Sequence, residues 1–290
     1  MREPTLISDA WGRSFQMRFR DAYESGKRNL PEQFPGRRIT TLITEARRNI
    51  PVMDKKAAAP GQAKRAAGYR AADMVEEGMV VGLGTGSTVY FTIERLSERV
   101  RDGLQITGIP TSFQTALRAR EAHIPLATLD DFPVPDIAID GADEVDPHLR
   151  LIKGRGAALL REKCVAAAAK HFVVVVDEQK MVKKLGTAAV PVEVLPFAVM
   201  PVLAEFRRLG GVPVIREAVR KDGPVITDNG NFVVDCTFPA ISDPERLEIA
   251  LAAIPGVLGS GLFCGFVKKT TVIIGGPKKV KIRSSADVVA

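Results

Sequence analysis

From Lys64 onward, short apolar runs alternate with segments of helical length, and this rhythm limits the chain to few architectures. AKRAAGYRAADMV reads as a helix, MVVGLG as a strand closing on glycines, and STVYFTIERLSERV as the next helix. LQITGIP follows as a strand, SFQTALRAREA as a helix, and IPLATL and PDIAID as further strands. GAALLREKCVAAAAK is helical, and HFVVVVD is apolar enough to be buried on both faces. Strands alternating with helices of this length predict an α/β fold with a doubly wound, mostly parallel, Rossmann-like sheet.

Near Pro191 the rhythm changes. VEVLPF reads as a strand, AVMPVLAEFRRLG as a helix and VPVIREAV as a strand. GPVITDNGNFVVDCTF contains Asn229-Gly230, a strong hairpin signal. DPERLEIALAAIPG starts a helix near Asp243 with Pro244 in its first turn, and VLGSGLF reads as a last strand. This β-α-β-β-α-β order predicts a smaller α+β, ferredoxin-like lid domain over 189–263. TTVIIGG then rejoins the first sheet, so the larger domain is expected over 53–188 plus 264–290.

Residues 1–52 differ from the rest. They hold the lone Trp11 and a concentration of cations, among them Arg13, Arg18, Arg20, Lys27, Arg28, Arg37, Arg38, Arg47 and Arg48. They read as a basic extension ahead of Met53, either a flexible leader or a misassigned start. The net charge is +7, yet no dense basic run appears, so nucleic-acid binding is not expected; an anionic substrate suits the charge equally well. No apolar stretch reaches membrane-spanning length and no secretory signal is visible, so neither a membrane nor export is expected. Cys164, Cys236 and Cys264 are widely spaced and show neither zinc spacing nor a disulfide framework, which fits a cytoplasmic protein.

Four motifs carry candidate chemistry. Gly82-Leu83-Gly84-Thr85-Gly86-Ser87-Thr88 lies between a strand and a helix. Free N–H groups at a helix start, with Thr and Ser hydroxyls, suit a phosphate; a tight capped βα turn would look the same. Ser87 stands where a dinucleotide fingerprint needs its third glycine, and no Gly-Lys-Ser/Thr follows for a P-loop. Asp140-Gly141-Ala142-Asp143-Glu144 follows a strand, where open α/β sheets bind ligands. Its carboxylates could bind a polyol or shuttle a proton, or form a solvated acidic loop. No histidine stands within the motif, and a metal is not expected. Lys153-Gly154-Arg155-Gly156 is a second glycine-rich loop, with a compact cation suited to a phosphate or an enolate oxygen.

Glu162 is flanked at helical spacing by Leu159, Val165, Ala158 and Ala166, so no cation at those positions can pair with it. It is either exposed at an edge or turned into a cleft, where desolvation would raise its pKa towards that of a general base. Lys180 follows the HFVVVVD strand, at another carboxyl-terminal strand end. His123, His148 and His171 have no partners at catalytic spacing.

GLGTGST, PTSFQT, DGADEVDP, LIKGRGAALLREK, VVVVDEQK, PVEVLPF, DGPVITDNGNF and IPGVLGSGLF occur in one order, and that order resembles the ribose-5-phosphate isomerase A family. The resemblance runs from about Lys64 to about Lys281. It implies that Thr85, Gly86, Ser87 and Thr88 hold the substrate phosphate, and that Asp140, Gly141, Ala142 and Asp143 bind the sugar. It places Lys153, Gly154, Arg155 and Gly156 in a second substrate loop, Glu162 as proton acceptor and Lys180 at the substrate, with Lys64 reaching the phosphate. The implied reaction interconverts D-ribose 5-phosphate and D-ribulose 5-phosphate through an enediolate, in the non-oxidative pentose phosphate pathway, with a small-molecule sugar phosphate as partner and without cofactor or metal. A homodimer or homotetramer is expected. Arg155 replaces a family glycine, and Leu160 stands where threonine often precedes REK. The competing reading is a sugar-phosphate-sensing regulator without catalysis; a dinucleotide-binding dehydrogenase is disfavoured by Ser87.

Overall fold

The computed structural model describes residues 60–276 and 279–288. The chain divides into two units, Met1–Lys55 and Lys56–Ala290, and all described residues belong to the second. The reading of residues 1–52 as an extension lies outside the described residues.

The elements run α1 (Pro60–Ala72), β1 (Val80–Leu83), α2 (Ser87–Arg101), β2 (Thr107–Pro110), α3 (Phe113–Glu121), β3 (Ile137–Gly141), β4 (Glu144–Val145), β5 (Leu151–Ile152) and α4 (Leu159–Ala168). Then follow β6 (His171–Asp177), β7 (Val190–Val194), α5 (Val199–Arg208), β8 (Val212–Ile215), β9 (Phe232–Thr237), α6 (Pro244–Ala252), β10 (Val257–Ser260), β11 (Leu262–Phe263), β12 (Thr270–Gly275) and β13 (Val280–Ser284).

The main sheet has the order β13-β12-β6-β3-β1-β2. Its neighbours are parallel except for the terminal β12–β13 pair. The side-chain period of two sends β6 into two cores. Val173 and Val175 join Ile139 and Ile273 beneath α1 and α2, with Ala67, Ala71, Val89 and Leu96. Phe172, Val174 and Val176 join Ala138, Val272 and Ile274 on the opposite face, beneath Val165 and Ala166 of α4. That two-sided burial is why the valine run is unbroken.

The second sheet, β10-β7-β9-β8, is antiparallel throughout. One face carries α5 and α6, with Val192, Val194, Val202, Phe206 and Leu251 in its core. Asp243 caps α6 by accepting from Arg246 N, and Pro244 occupies its first turn. Gly230 turns the hairpin at φ +82°, and Thr227 N donates to Asn231 O at 2.8 Å.

Two strand expectations differ from the structure. IPLATL makes only an isolated bridge, Gly108 to Leu126. Pro125 has no N–H to pair, and Asp131 turns the chain by accepting from Thr128 N and Oγ1. VLGSGLF is two strands in different sheets. Gly261 breaks it by donating to Pro191 O at 2.6 Å and accepting from Lys153 N at 2.8 Å. Thus β11 leaves the second sheet and joins a small one, β11-β5-β4, which the sequence reading did not anticipate. This small sheet carries Lys153 at its end.

Candidate active site

The carboxyl ends of β1, β3 and β6 open into one cleft of about 320 Å³. β1 passes very close to β3 here. A Cβ on Gly84 would fall 2.2 Å from Asp140 Oδ1, so only glycine fits. Thr85 N donates to that same Oδ1 at 3.1 Å. Thr85 Oγ1 donates to Ser112 Oγ at 2.8 Å and lies 3.0 Å from Thr111 Oγ1 and 3.2 Å from Thr115 Oγ1. Thr85 lines the cleft, but its hydroxyl locks the loop to the start of α3.

Gly86 precedes α2 at φ +120°, and no side chain caps the helix. Its first-turn N–H groups, Ser87 and Thr88 therefore face the cleft with the positive end of a 15-residue helix behind them. Lys64 of α1 and Lys180, in the 3-10 turn Glu178–Lys180 after β6, line the same wall. Lys64 Nζ stands 3.6 Å from Asp177 Oδ2, a partner the sequence reading missed.

The opposite wall is built on β5. Lys153 extends it, and the turn Gly154–Ala157 leads into α4, with Gly154 at φ +111°. Arg155 N donates to Asp143 Oδ2 at 3.0 Å, joining the two loops. Arg216 holds Asp235 and donates to Gly154 O at 3.0 Å and Arg155 O at 3.1 Å. Arg155 itself has no left-handed backbone, so the Lys153–Gly156 loop tolerates a side chain there. Leu160 packs against Gly259 of β10.

Lys153 is the centre of the site. Its Nζ lies 3.0 Å from Asp140 Oδ2 and 3.1 Å from Glu162 Oε2, and it donates to Gly141 O at 2.5 Å. The Lys153 ammonium approaches Oε2 as an ion pair, and no other group among the described residues donates to that oxygen. All three side chains are buried. As the helical spacing indicated, Leu159, Val165 and Ala166 are buried on the same side of α4. Arg161 turns to Asn229, and Lys163 to Glu248 and Leu262 O.

One ammonium thus faces two buried carboxylates, and one negative charge is left uncompensated. Burial pushes Glu162 up to about 8, Asp140 pushes the same way, and Lys153 opposes both. Burial raises Asp140 too, against Lys153 and the N–H groups of Gly141 and Thr85. Burial alone would depress the Lys153 ammonium, but Asp140 and Glu162 outweigh it and hold its pKa above the usual lysine range. A carboxylate poised near neutral pH beside a permanent cation is suited to moving protons next to a developing oxyanion.

A family model described as ribose 5-phosphate isomerase A (phosphoriboisomerase A) matches residues 107–279. Ribose-5-phosphate isomerase A of Methanoregula boonei is 66% identical over 227 residues, covering 78% of this chain and 95% of that protein. The chain belongs to the ribose 5-phosphate isomerase A family. The solved ribose 5-phosphate isomerase A of Methanocaldococcus jannaschii superposes with a TM-score of 0.73 at 46% identity, covering 77% of this chain and 98% of that one. A D-ribose-5-phosphate isomerase solved in complex with phospho-erythronic acid gives a TM-score of 0.74, also at 46% identity, covering 77% of this chain and 97% of that one.

In this isomerase-family chain, the residues singled out from the sequence converge. Gly141, Ala142, Asp143, Gly154, Gly156 and Glu162 line the cleft with the residues above, and Asp140 lies directly behind Lys153. The histidines lie elsewhere. Ser112 and Thr115 were missed as the support of Thr85; their signal was the S-x-x-T spacing in PTSFQT, which caps a helix. Among the described residues no group of three His, Cys, Asp or Glu could hold a metal. No described helix is long and apolar enough to cross a membrane.

Proposed function

We propose that this protein interconverts D-ribose 5-phosphate and D-ribulose 5-phosphate by proton transfer through an enediolate. The observation that carries this is the buried Lys153 between Asp140 and Glu162, facing a helix start that has no side-chain cap. Glu162 removes the C2 proton and returns it at C1. Lys153 stabilises the oxygen that becomes negative, and Asp140 keeps Lys153 charged and in place. Ser87, Thr88 and the first N–H groups of α2 hold the phosphate, helped by Lys180 and Lys64, so remote binding energy positions the reacting carbons. Asp143 and the Gly154–Gly156 backbone meet the sugar hydroxyls. The isomerases named above and the relative bound to phospho-erythronic acid support a phosphorylated, hydroxylated ligand in this cleft.

The reading includes no metal or cofactor, a place in the non-oxidative pentose phosphate pathway, a cytoplasmic location and a homodimer or homotetramer. It assigns residues 189–263 as a lid domain. Sedimentation equilibrium would separate the two assemblies from a monomer.

The test is incubation with ribose 5-phosphate in deuterated buffer, following ketose by absorbance and deuterium at C2 by NMR. Ketose with exchange is expected. Binding of the sugar phosphate without turnover would favour the sensor instead.

A further inference from the structure

Three neutral donors converge on one oxygen of a carboxylate deep in the four-stranded sheet. Glu193 of β7 is fully buried. Its Oε1 accepts from Thr227 Oγ1 at 2.9 Å, Asn229 Nδ2 at 3.0 Å and Asn231 Nδ2 at 2.8 Å. Its Oε2 has no hydrogen-bond partner among the described residues. A buried carboxylate without a cation costs stability. What this one holds is the turn Thr227–Asn231.

The turn reaches the active site in two directions. Asn229 Oδ1 accepts from Arg161 Nε at 2.7 Å, and Asp228 O accepts from Arg161 Nη2 at 2.9 Å. Arg161 immediately precedes Glu162 in the first turn of α4. In the other direction, Asp228 Oδ2 accepts from Phe113 N at 2.7 Å, where α3 begins. Ser112 and Thr115 at that helix start hold Thr85 of the phosphate loop.

The grip on Arg161 matters because α4 begins poorly. Its N-cap is Ala158, which has no side-chain oxygen to accept from the first-turn N–H groups. An uncapped first turn frays. Glu162 sits in that turn, so a small rotation there displaces its carboxylate from the reacting carbon. A guanidinium bound at two acceptors in a fixed fork resists such a rotation better than a single contact would.

We propose that Asn229 and Arg161 are positioning residues for Glu162, the turn cemented by Glu193 supplying from outside the anchor that α4 lacks at its own start. The proposal rests on the isomerase reading above. A general base must be held within roughly 0.5 Å of its working position, and a displacement of about 1 Å can cost about 10²-fold in rate.

The test compares wild type, Arg161→Gln, Asn229→Ala and the double variant for kcat, KM, C2 proton exchange and thermal unfolding. Each single substitution is expected to lower kcat by about 10-fold or more. KM should stay within about two-fold in Arg161→Gln, which leaves the Asp228 contact to Phe113 N, the phosphate loop and Lys180 in place. The double variant should be no slower than the slower single, because Asn229 acts on Glu162 only through Arg161. Arg161 is half-buried and glutamine keeps helix propensity, so Arg161→Gln folds even where Asn229→Ala fails, and its kcat then decides. An unchanged kcat in Arg161→Gln overturns the proposal. A loss confined to KM, or losses that multiply in the double variant, also overturn it. A wild-type protein that makes no ketose overturns the isomerase reading itself, an outcome distinct from any difference among the variants.

Discussion

Lys153 and Glu162 meet at 3.1 Å with side-chain exposures of only 3% and 5%. Each controls the other's protonation, and Asp140 biases both. The pair is therefore unequal: the lysine stays charged, while the glutamate is the group that can exchange a proton near neutral pH.

Glu162→Gln should keep the fold, because the amide is nearly isosteric and still faces Lys153. It should bind substrate and lose kcat by ~10²–10⁴-fold, the contribution of a positioned general base. C2 proton exchange should fall in parallel. Asp140→Asn is the contrast: if exchange survives in Glu162→Gln and is abolished in Asp140→Asn, the base has been misassigned.

The kcat/KM profile should rise with pH as Glu162 loses its proton, with its midpoint at about 8 rather than at the ordinary 4.5. Stability should show the opposite slope. Between 4.5 and about 8 the folded state keeps a proton that the unfolded chain gives up. Wild type should therefore lose stability relative to Glu162→Gln as pH rises through that window. Thermal unfolding of both proteins across pH 4–9 checks the sign; a constant difference would show that Glu162 titrates normally.

Replacing Ser87 and Thr88 together by alanine removes two neutral donors that line the cleft and, on the proposed reading, hold the phosphate. A hydrogen bond to a charged group is worth about 1.5–3 kcal/mol, so KM for ribose 5-phosphate should rise by ~10²-fold or more. A folded double variant with unchanged KM would remove this loop from the phosphate site.

Full activity is expected after exhaustive chelation, since in the proposed mechanism Lys153 supplies the charge that a metal would otherwise bring to the oxyanion. Loss of turnover that a divalent ion restores would refute the cofactor-free mechanism.

Much of the fold was legible because it is encoded locally. The two-residue period and unbroken valines of HFVVVVD specify a strand covered on both faces, and β6 is one. Asp243 followed by Pro244 specifies a helix start, and α6 begins there. IPLATL failed because its apolar content says nothing about whether Pro125 and the Thr128–Asp131 turn leave it a partner to pair with. VLGSGLF failed because the break at Gly261 depends on Pro191 and Lys153, which approach it only in the folded chain.

The sequence by itself determined the order of strands and helices, the glycine-rich loops at the strand ends, and the apolar surroundings of Glu162 on its own helix. These follow from backbone sterics and side-chain period, which neighbours along the chain decide. Only the tertiary structure decided that Lys153, Asp140 and Glu162 share one buried point, that Thr85 spends its hydroxyl on Ser112, and that Glu193 grips the turn holding Arg161. Those contacts join residues from different elements. The charge state of Glu162 depends on how much water all the packed elements together exclude, a property that no local stretch of sequence contains.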